Sequence, residues 1–423
     1  MRLGRGGQGR VKRGGVGLTL LAAVAALGGC GSDHKVPNKI SGQTLTIYAS
    51  LPLHGASAVS GQAVLGGARI ALDQVHGRIG RYKIVLRWMD DSTPKRGSWD
   101  PGQTTLNAQQ AMNDHTTIGY IGEYNSGASA ISIPLLNRLG IPQISPTSTA
   151  VGLTSNGIGA APGEPQKYYP TGIRTYARVV PSDAIEAAAQ VRLQQEAGCT
   201  KTFILDDGEF DGDDAEASFQ VAARAAHLKL AGVQTFDPRV KDYRPLAAAV
   251  AKTGADCVLI SAITEDNAVL LTKQVADAMP NAKLFGTGGL AESTFANPEQ
   301  GGIPRSLDSR VVITAAAVGP TASPPAGQAF YDRYALRYGD PEPYAIFGYE
   351  AMSLMLSAIA HATDDGTAPA QRSKVRAAIF STRGRRSVLG TYSIKSDGDT
   401  TLRRYGVYRI VRGQLRFWKE IDT

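Results

Sequence analysis

The chain has 423 residues, 43% of them hydrophobic and 19% charged, which is ordinary globular material and long enough for two domains. Its formal charge is +8, but Arg2, Arg5, Arg10, Lys12 and Arg13 all precede the first apolar run, and the remainder carries 40 basic against 37 acidic side chains. That small, dispersed excess, with no basic helix and no aromatic-interleaved patch, excludes nucleic acid as a partner.

The N-terminus has the three parts of an export signal: a basic segment to Arg13, an apolar segment over 16–27, and the small pair Gly28-Gly29. The apolar part is too short to span a bilayer, which takes about 20 residues. Leu27-Gly28-Gly29-Cys30 resembles the lipobox of bacterial lipoproteins, in which cleavage precedes the cysteine and its thiol receives lipid. Residues 1–29 are thus expected to be a lipoprotein signal peptide. Residues 30–43, polar and without periodicity, are expected to form a lipid anchor and tether, with Cys30 holding the protein on the extracytoplasmic face of the cell membrane.

Beyond the tether, short apolar runs alternate with amphipathic segments. A strand is predicted over 45–48, then a helix over 61–75 in which Leu65, Ala68, Leu72 and Val75 share one face. Strands over 83–86 and 118–121 flank a helix over 104–112. This β-α-β-α-β series implies a mostly parallel sheet covered by helices.

After Pro181 the pattern restarts. A helix over 183–197 carries Ile185, Ala189 and Leu193 at helical spacing, and strands follow at 201–205, 232–235, 257–261 and 283–286. Cys199 and Cys257 lie at or just before the starts of two of these strands, in a compartment that permits disulfides. A bridge is possible if those strands are parallel neighbours, and two buried free thiols are the alternative. Near the C-terminus, 405–410 and 414–419 alternate around Val411-Arg412-Gly413, the pattern of a β-hairpin.

The order of motifs resembles the type I periplasmic binding proteins of the branched-chain amino acid (leucine/isoleucine/valine-binding) family. The carrying segments are Leu51-Pro52-Leu53-His54-Gly55 with Gly61 and Gly66-Gly67-Ala68, then Asp90-Asp91, then Ile118-Gly119-Tyr120-Ile121-Gly122 with Asn125-Ser126-Gly127-Ala128, and the run from Gly140 to Thr149. The resemblance implies an α/β protein with two Rossmann-like lobes joined by three hinge crossings, near 178–181, 315–319 and 403–406. One lobe would comprise 44–180 plus 318–402, the other 181–317 plus 403–423. A small-molecule ligand would sit in the cleft, where loops at the carboxyl ends of parallel strands collect, and hinge closure would bury it.

Candidate ligand residues follow from both lines. Segment 122–129 follows a strand and opens a helix, so Asn125 and Ser126 can meet a ligand carboxylate or cap the helix. Thr147, Ser148 and Thr149 follow the next strand, and the resemblance sets Ser148 and Thr149 against the ligand's carboxylate and amino group. It likewise places Ser60 where the family often carries a ligand-facing aromatic, and Phe210 where an aromatic closes over the ligand. Asp207, Glu209, Asp211 and Gly212 start an EF-hand-like spacing, but Ser218 stands where its bidentate Glu is required, so no metal is expected.

The sequence departs from the resemblance at Gly288, where amino-acid-binding members tend to carry a Glu or Asp that pairs with the ligand's ammonium group. A buried ammonium without a counter-charge is costly. Either Glu123, Asp207 or Glu265 substitutes, or the ligand has no ammonium group. Glu123 would repel a carboxylate if it pointed into the cleft and would be inert if it pointed to solvent.

The six histidines are scattered, with no nucleophile elbow and no metal-ligand spacing, and Gly286–Gly289 lacks both the Lys-Ser/Thr of a phosphate loop and the spacing of a dinucleotide fingerprint. The sequence therefore reads as a binding protein without cofactor, served by an ABC permease and its ATPase. The alternative is a ligand-sensing component that signals through a separate membrane partner.

Overall fold

The structure is a computed structural model that describes residues 38–423, apart from the side chains of residues 210–214 and 422. The leader and Cys30 lie outside the described residues.

The first lobe is built from β1 (Thr44–Leu51), α1 (Ala58–Gln74), β2 (Arg78–Ile79), β3 (Tyr82–Asp90), α2 (Pro101–Asn113), β4 (Thr117–Ile121), α3 (Ser126–Arg138), β5 (Gln143–Ser145) and β6 (Tyr176–Arg178). Its sheet runs β2-β3-β1-β4-β5-β6, parallel except for the short β2 edge. The chain then crosses to α4 (Asp183–Glu196), β7 (Lys201–Asp206), α5 (Phe210–Ala225), β8 (Lys229–Thr235), α6 (Arg244–Ala251), β9 (Cys257–Ser261), α7 (Val269–Ala278), β10 (Lys283–Gly286), α8 (Ser293–Ala296) and β11 (Val311–Ala315). It returns to the first lobe for α9 (Pro325–Tyr338), α10 (Ala345–Ala362), α11 (Arg372–Phe380) and a small ribbon, β12 (Arg385–Ser387) with β13 (Gly390–Tyr392). A third crossing leads to β14 (Arg404–Val411) and β15 (Gln414–Asp422), which complete the second sheet in the order β15-β14-β11-β10-β9-β7-β8.

Two sheets of mostly parallel strands under helices follow from the β-α alternation of the sequence, because each helix returns the chain to the same end of its sheet, while β14 and β15 pair antiparallel. The C-terminal hairpin closes through Arg412 and Gly413, whose φ values of 53° and 71° suit the primed turns that match strand twist. The two cysteines are joined. β7 lies directly beside β9 in parallel register, and a Cys199–Cys257 disulfide spans a Cα separation of 5.8 Å.

The helix α10 is 18 residues long and apolar enough to cross a membrane, but most of it is buried inside the first lobe. It lies against α1, and the approach needs glycine on both sides. A Cβ at Gly67 would stand 2.1 Å from the Ala345 carbonyl oxygen, and one at Gly348 would stand 2.0 Å from that of Val64. Backbone can therefore meet backbone, which fixes the N-terminal end of α10, and with it Tyr344, against the mouth of the first sheet.

In each sheet the strand order reverses beside the first strand laid down, at β1 and β4 in the first lobe and at β7 and β9 in the second. Loops at these carboxyl ends diverge and leave a crevice, and the two crevices face one another.

Candidate functional site

The interlobe cleft is lined from the strand ends upward. From the first lobe come Ser57 after β1, Tyr124 and Asn125 after β4, Thr147 and Thr149 after β5, and Tyr344 at the start of α10. From the second come Ala262 and Ile263 after β9, Thr287, Gly288 and Gly289 after β10, and Glu292 just before α8. Asp183 and Glu186 project from the first turns of α4, immediately past the first crossing.

The lobes are in contact across this cleft. The Tyr124 hydroxyl donates to Glu292 Oε1 at 3.0 Å, the Ser293 N–H donates to Glu342 Oε2 at 3.1 Å, and Arg96 pairs with Glu209 at 3.3 Å. Trp99, Ala128 and Ile263 form an apolar contact between them. This is a closed arrangement, and it buries polar atoms that have no protein partner. Asn125 is 3% exposed and its Oδ1 has none, and Glu292 is 1% exposed and its Oε2 has none. Unpaired buried acceptors of this kind cost free energy until something donates to them.

The side chain at position 186 stands beside Gly288. A Cβ built on Gly288 would lie 3.7 Å from both carboxylate oxygens of Glu186, so that carboxylate stands beside the place a longer side chain at 288 would fill. Glu186 Oε1 accepts the Gly288 N–H at 2.8 Å and the Thr314 hydroxyl. Burial outweighs those two bonds and pushes its pKa up to about 7. Burial likewise pushes Glu292 up to about 8, helped by the neighbouring charge of Glu265. Among the described residues that line the cleft there is no Lys, Arg or His.

A family model described as periplasmic binding protein matches residues 44–414. The chain belongs to this family. Among curated periplasmic binding protein relatives, the Leu/Ile/Val-binding protein BraC3 of Rhizobium johnstonii is 23% identical over 373 residues, covering 88% of this chain and 93% of its own. Among solved structures, a leucine-binding protein LivK from Thermotoga maritima superposes with a TM-score of 0.76 at 19% identity, covering 89% of this chain and 99% of that one. A solute-binding protein of an ABC transporter from R. palustris, in complex with 4-hydroxybenzoate, gives 0.73 at 17%, covering 90% and 96%. These relatives are solute-binding proteins rather than enzymes, and an extracytoplasmic location goes with the family.

On this periplasmic binding protein scaffold the residues singled out from sequence fall into two groups. Asn125, Thr147 and Thr149 line the cleft. Asn125 occupies the N-cap position of α3 but makes no side-chain cap, leaving its amide at the cleft. Ser126, Ser148 and Ser60 lie behind the cleft wall. Ser126 Oγ accepts the Ala150 N–H at 3.2 Å, Ser148 Oγ donates to the Glu123 carbonyl at 3.1 Å, and Ser60 Oγ donates to Glu342 at 3.4 Å. Phe210 opens α5, and its side chain is outside the described residues.

Of the three acids named as substitutes at Gly288, none lines the cleft beside it. Glu123 points neither into the cleft nor to solvent: it is fully buried under β4, where the Tyr120 hydroxyl donates to it at 2.8 Å and burial raises its pKa to about 7. Asp207 accepts the Ile263 N–H at 2.8 Å and the Glu209 N–H at 3.1 Å, fixing the loop after β9, and burial, aided by the Asp266 charge, raises its pKa far above the usual range. Glu265 is half-buried in the irregular turn over Thr264–Ala268. The acids beside the cleft are Glu186, Asp183 and Glu292, which sequence reasoning missed. One signal was available: Glu186 sits three residues before Ala189 on the face of α4 that the apolar spacing had marked as buried.

Proposed function

We propose that this protein is the extracytoplasmic solute-binding lipoprotein of an ABC importer. It is anchored by lipid on Cys30 once residues 1–29 are removed and held on a tether that is shorter than the 30–43 expected from sequence, because Ile40 is buried in the first lobe with its N–H donating to the Ala370 carbonyl at 2.9 Å. The lobes over 44–180 plus 318–402 and over 181–317 plus 403–423 capture a small polar ligand, a branched-chain amino acid or a related compound. The observation that carries this reading is the closed interlobe cleft, in which Asn125 and Glu292 present buried polar atoms without protein partners. A site built for a ligand leaves such atoms; a cleft sealed for stability pairs them.

In this reading Asn125, Thr147 and Thr149 meet the ligand from the first lobe, and Glu186 with the backbone around Gly288 and Glu292 meets it from the second. Ser126, Ser148, Ser60, Glu123, Asp207 and Glu265 act as positioning residues behind them, and Phe210 closes over the ligand. The cross-lobe bonds of Tyr124 and Ser293 favour the closed state, whose surface a permease with its ATPase would recognise. The protein carries out no chemistry on its ligand and needs no metal or cofactor.

The test is a thermal-melt screen of the purified chain against aliphatic and other amino acids, amides, ureas, carboxylic acids and polyamines. A ligand at 100 times its dissociation constant adds about 2.7 kcal/mol to stability, a readily measured shift. A selective response that disappears in Glu186→Gln supports the reading, and silence across the panel from a folded protein counts against it.

A further inference from the structure

The charge and hydrogen-bonding demand of the cleft define its ligand more narrowly than its fold does. Three carboxylates, Asp183, Glu186 and Glu292, line it without a basic side chain among the described lining residues. Two guanidinium groups of the first lobe are committed elsewhere. Arg178 is fully buried and tied to Asp399 at 2.8 Å and to the carbonyls of Ser148 and Ala150, while Arg96 pairs with Glu209 at the rim.

Two hydroxyls of the first-lobe wall are already committed as donors. Thr147 gives its hydroxyl proton to the Tyr124 carbonyl at 2.7 Å, and Ser148 gives its own to the Glu123 carbonyl. Unmet acceptor capacity lies on Glu292 Oε2 and Asn125 Oδ1, both on residues more than nine-tenths buried. Tyr124 and Tyr344 stand edge to face beside these acceptors, their ring centroids 6.3 Å apart, and aromatic rings attract cations.

Resting on the solute-binding reading, we propose that the ligand is a small organic cation of net positive charge, a diamine or a basic amino acid, whose cationic nitrogens are held by Glu292 and Glu186. A zwitterion brings one ammonium group to three buried carboxylates, and its own carboxylate adds a further negative charge beside them. An aromatic acid brings a negative charge to a cleft that already holds three acids. Both arrangements bury uncompensated charge, which is costly in a desolvated site. A net cation neutralises the acids, and its arrival would lower the raised pKa values of Glu186 and Glu292.

The experiment is calorimetric titration of the full chain in mild detergent with 1,4-diaminobutane, L-lysine, L-leucine and 4-hydroxybenzoate at neutral pH. The expected result is that 1,4-diaminobutane or lysine binds at least ten times more tightly than leucine or 4-hydroxybenzoate. Glu292→Gln and Glu186→Gln should each weaken that binding at least tenfold, with melting in the absence of ligand unchanged or raised. Tightest binding of leucine or 4-hydroxybenzoate would overturn the cation assignment and leave the solute-binding reading standing. Tight cation binding that survives both substitutions would overturn it too, because the cation would then lie elsewhere. Should one variant fail to fold, the other still decides the point. Absence of heat with all four probes, from protein that melts cooperatively, would count against both readings.

Discussion

Arg178 and Asp399 are 221 residues apart in sequence and 2.8 Å apart in space, joining the last strand of the first sheet to the segment just before the third crossing. The guanidinium is wholly buried and also donates to Ser148 O, Ala150 O and Thr154 Oγ1, so one side chain fixes the loop that follows β5. That loop carries Thr147 and Thr149 to the cleft.

Removing one partner of such a pair strands the other without compensation. Arg178→Ala should lower unfolding stability by about 3–5 kcal/mol in urea titration. Burial pushes Asp399 up, but the Arg178 charge and the Thr154 hydroxyl outweigh it, so its pKa sits below its ordinary value. A depressed carboxylate contributes stability above its unfolded pKa and loses that contribution as pH falls through its folded one. The wild type should therefore lose stability below about pH 4 more steeply than Asp399→Asn.

The disulfide is expected to act on a different part of the molecule. Cys199 and Cys257 close a loop of 58 residues at the starts of β7 and β9, at the end of the second sheet away from the cleft. Chain-entropy reasoning assigns such a loop about 4 kcal/mol. The Cys199→Ser, Cys257→Ser pair, or reductant, should lower the melting temperature while leaving the affinity of the remaining folded protein unchanged, measurable by calorimetry below the transition.

Much of this architecture is legible in the sequence because it is written locally. The helical spacing of Leu65, Ala68 and Leu72, the apolar runs before Gly122 and Thr287, and the hairpin turn around Val411-Arg412-Gly413 depend on neighbours within a few positions. The acids at the cleft do not. Glu186 reaches Gly288 from 102 residues away, and its role is visible only once the first crossing sets α4 beside the end of β10. The same distance hides Glu292, which meets Tyr124 across 168 residues. Glu123 misled because a charged residue in a loop-like motif is ordinarily solvated, whereas here the turn folds it back under its own strand onto Tyr120.

That inward turn has a pH signature. Glu123 is buried beside Asp91, and burial raises its pKa from 4.5 to about 7. A carboxyl whose folded pKa is raised binds more protons in the native state, so stability falls as pH rises from the unfolded value towards the folded one and then levels off. Glu123→Gln keeps an acceptor for the Tyr120 hydroxyl and removes the titration. The variant should show a flatter stability profile between about pH 4.5 and 7, and at pH 8 should exceed the wild type by roughly 1–3 kcal/mol.

Gly288 provides the last test, because its lack of a side chain is explained by one atom. A Cβ there would stand 2.4 Å from the Tyr344 hydroxyl oxygen. Tyr344 is 5% exposed and packed between Tyr124 and Phe347, with centroids at 6.3 and 6.0 Å, so its hydroxyl has little room to retreat. Gly288→Ala should cost about 1–3 kcal/mol through overpacking. It should also weaken ligand binding at least tenfold, since the displaced ring and the Glu186 carboxylate both face the cleft. Tyr344→Phe deletes the obstructing oxygen, so the double variant should recover more than half of the stability lost in Gly288→Ala, a coupling measurable by a double-mutant cycle. Strictly additive losses would mean that glycine is needed at 288 for its backbone rather than for the space Tyr344 occupies.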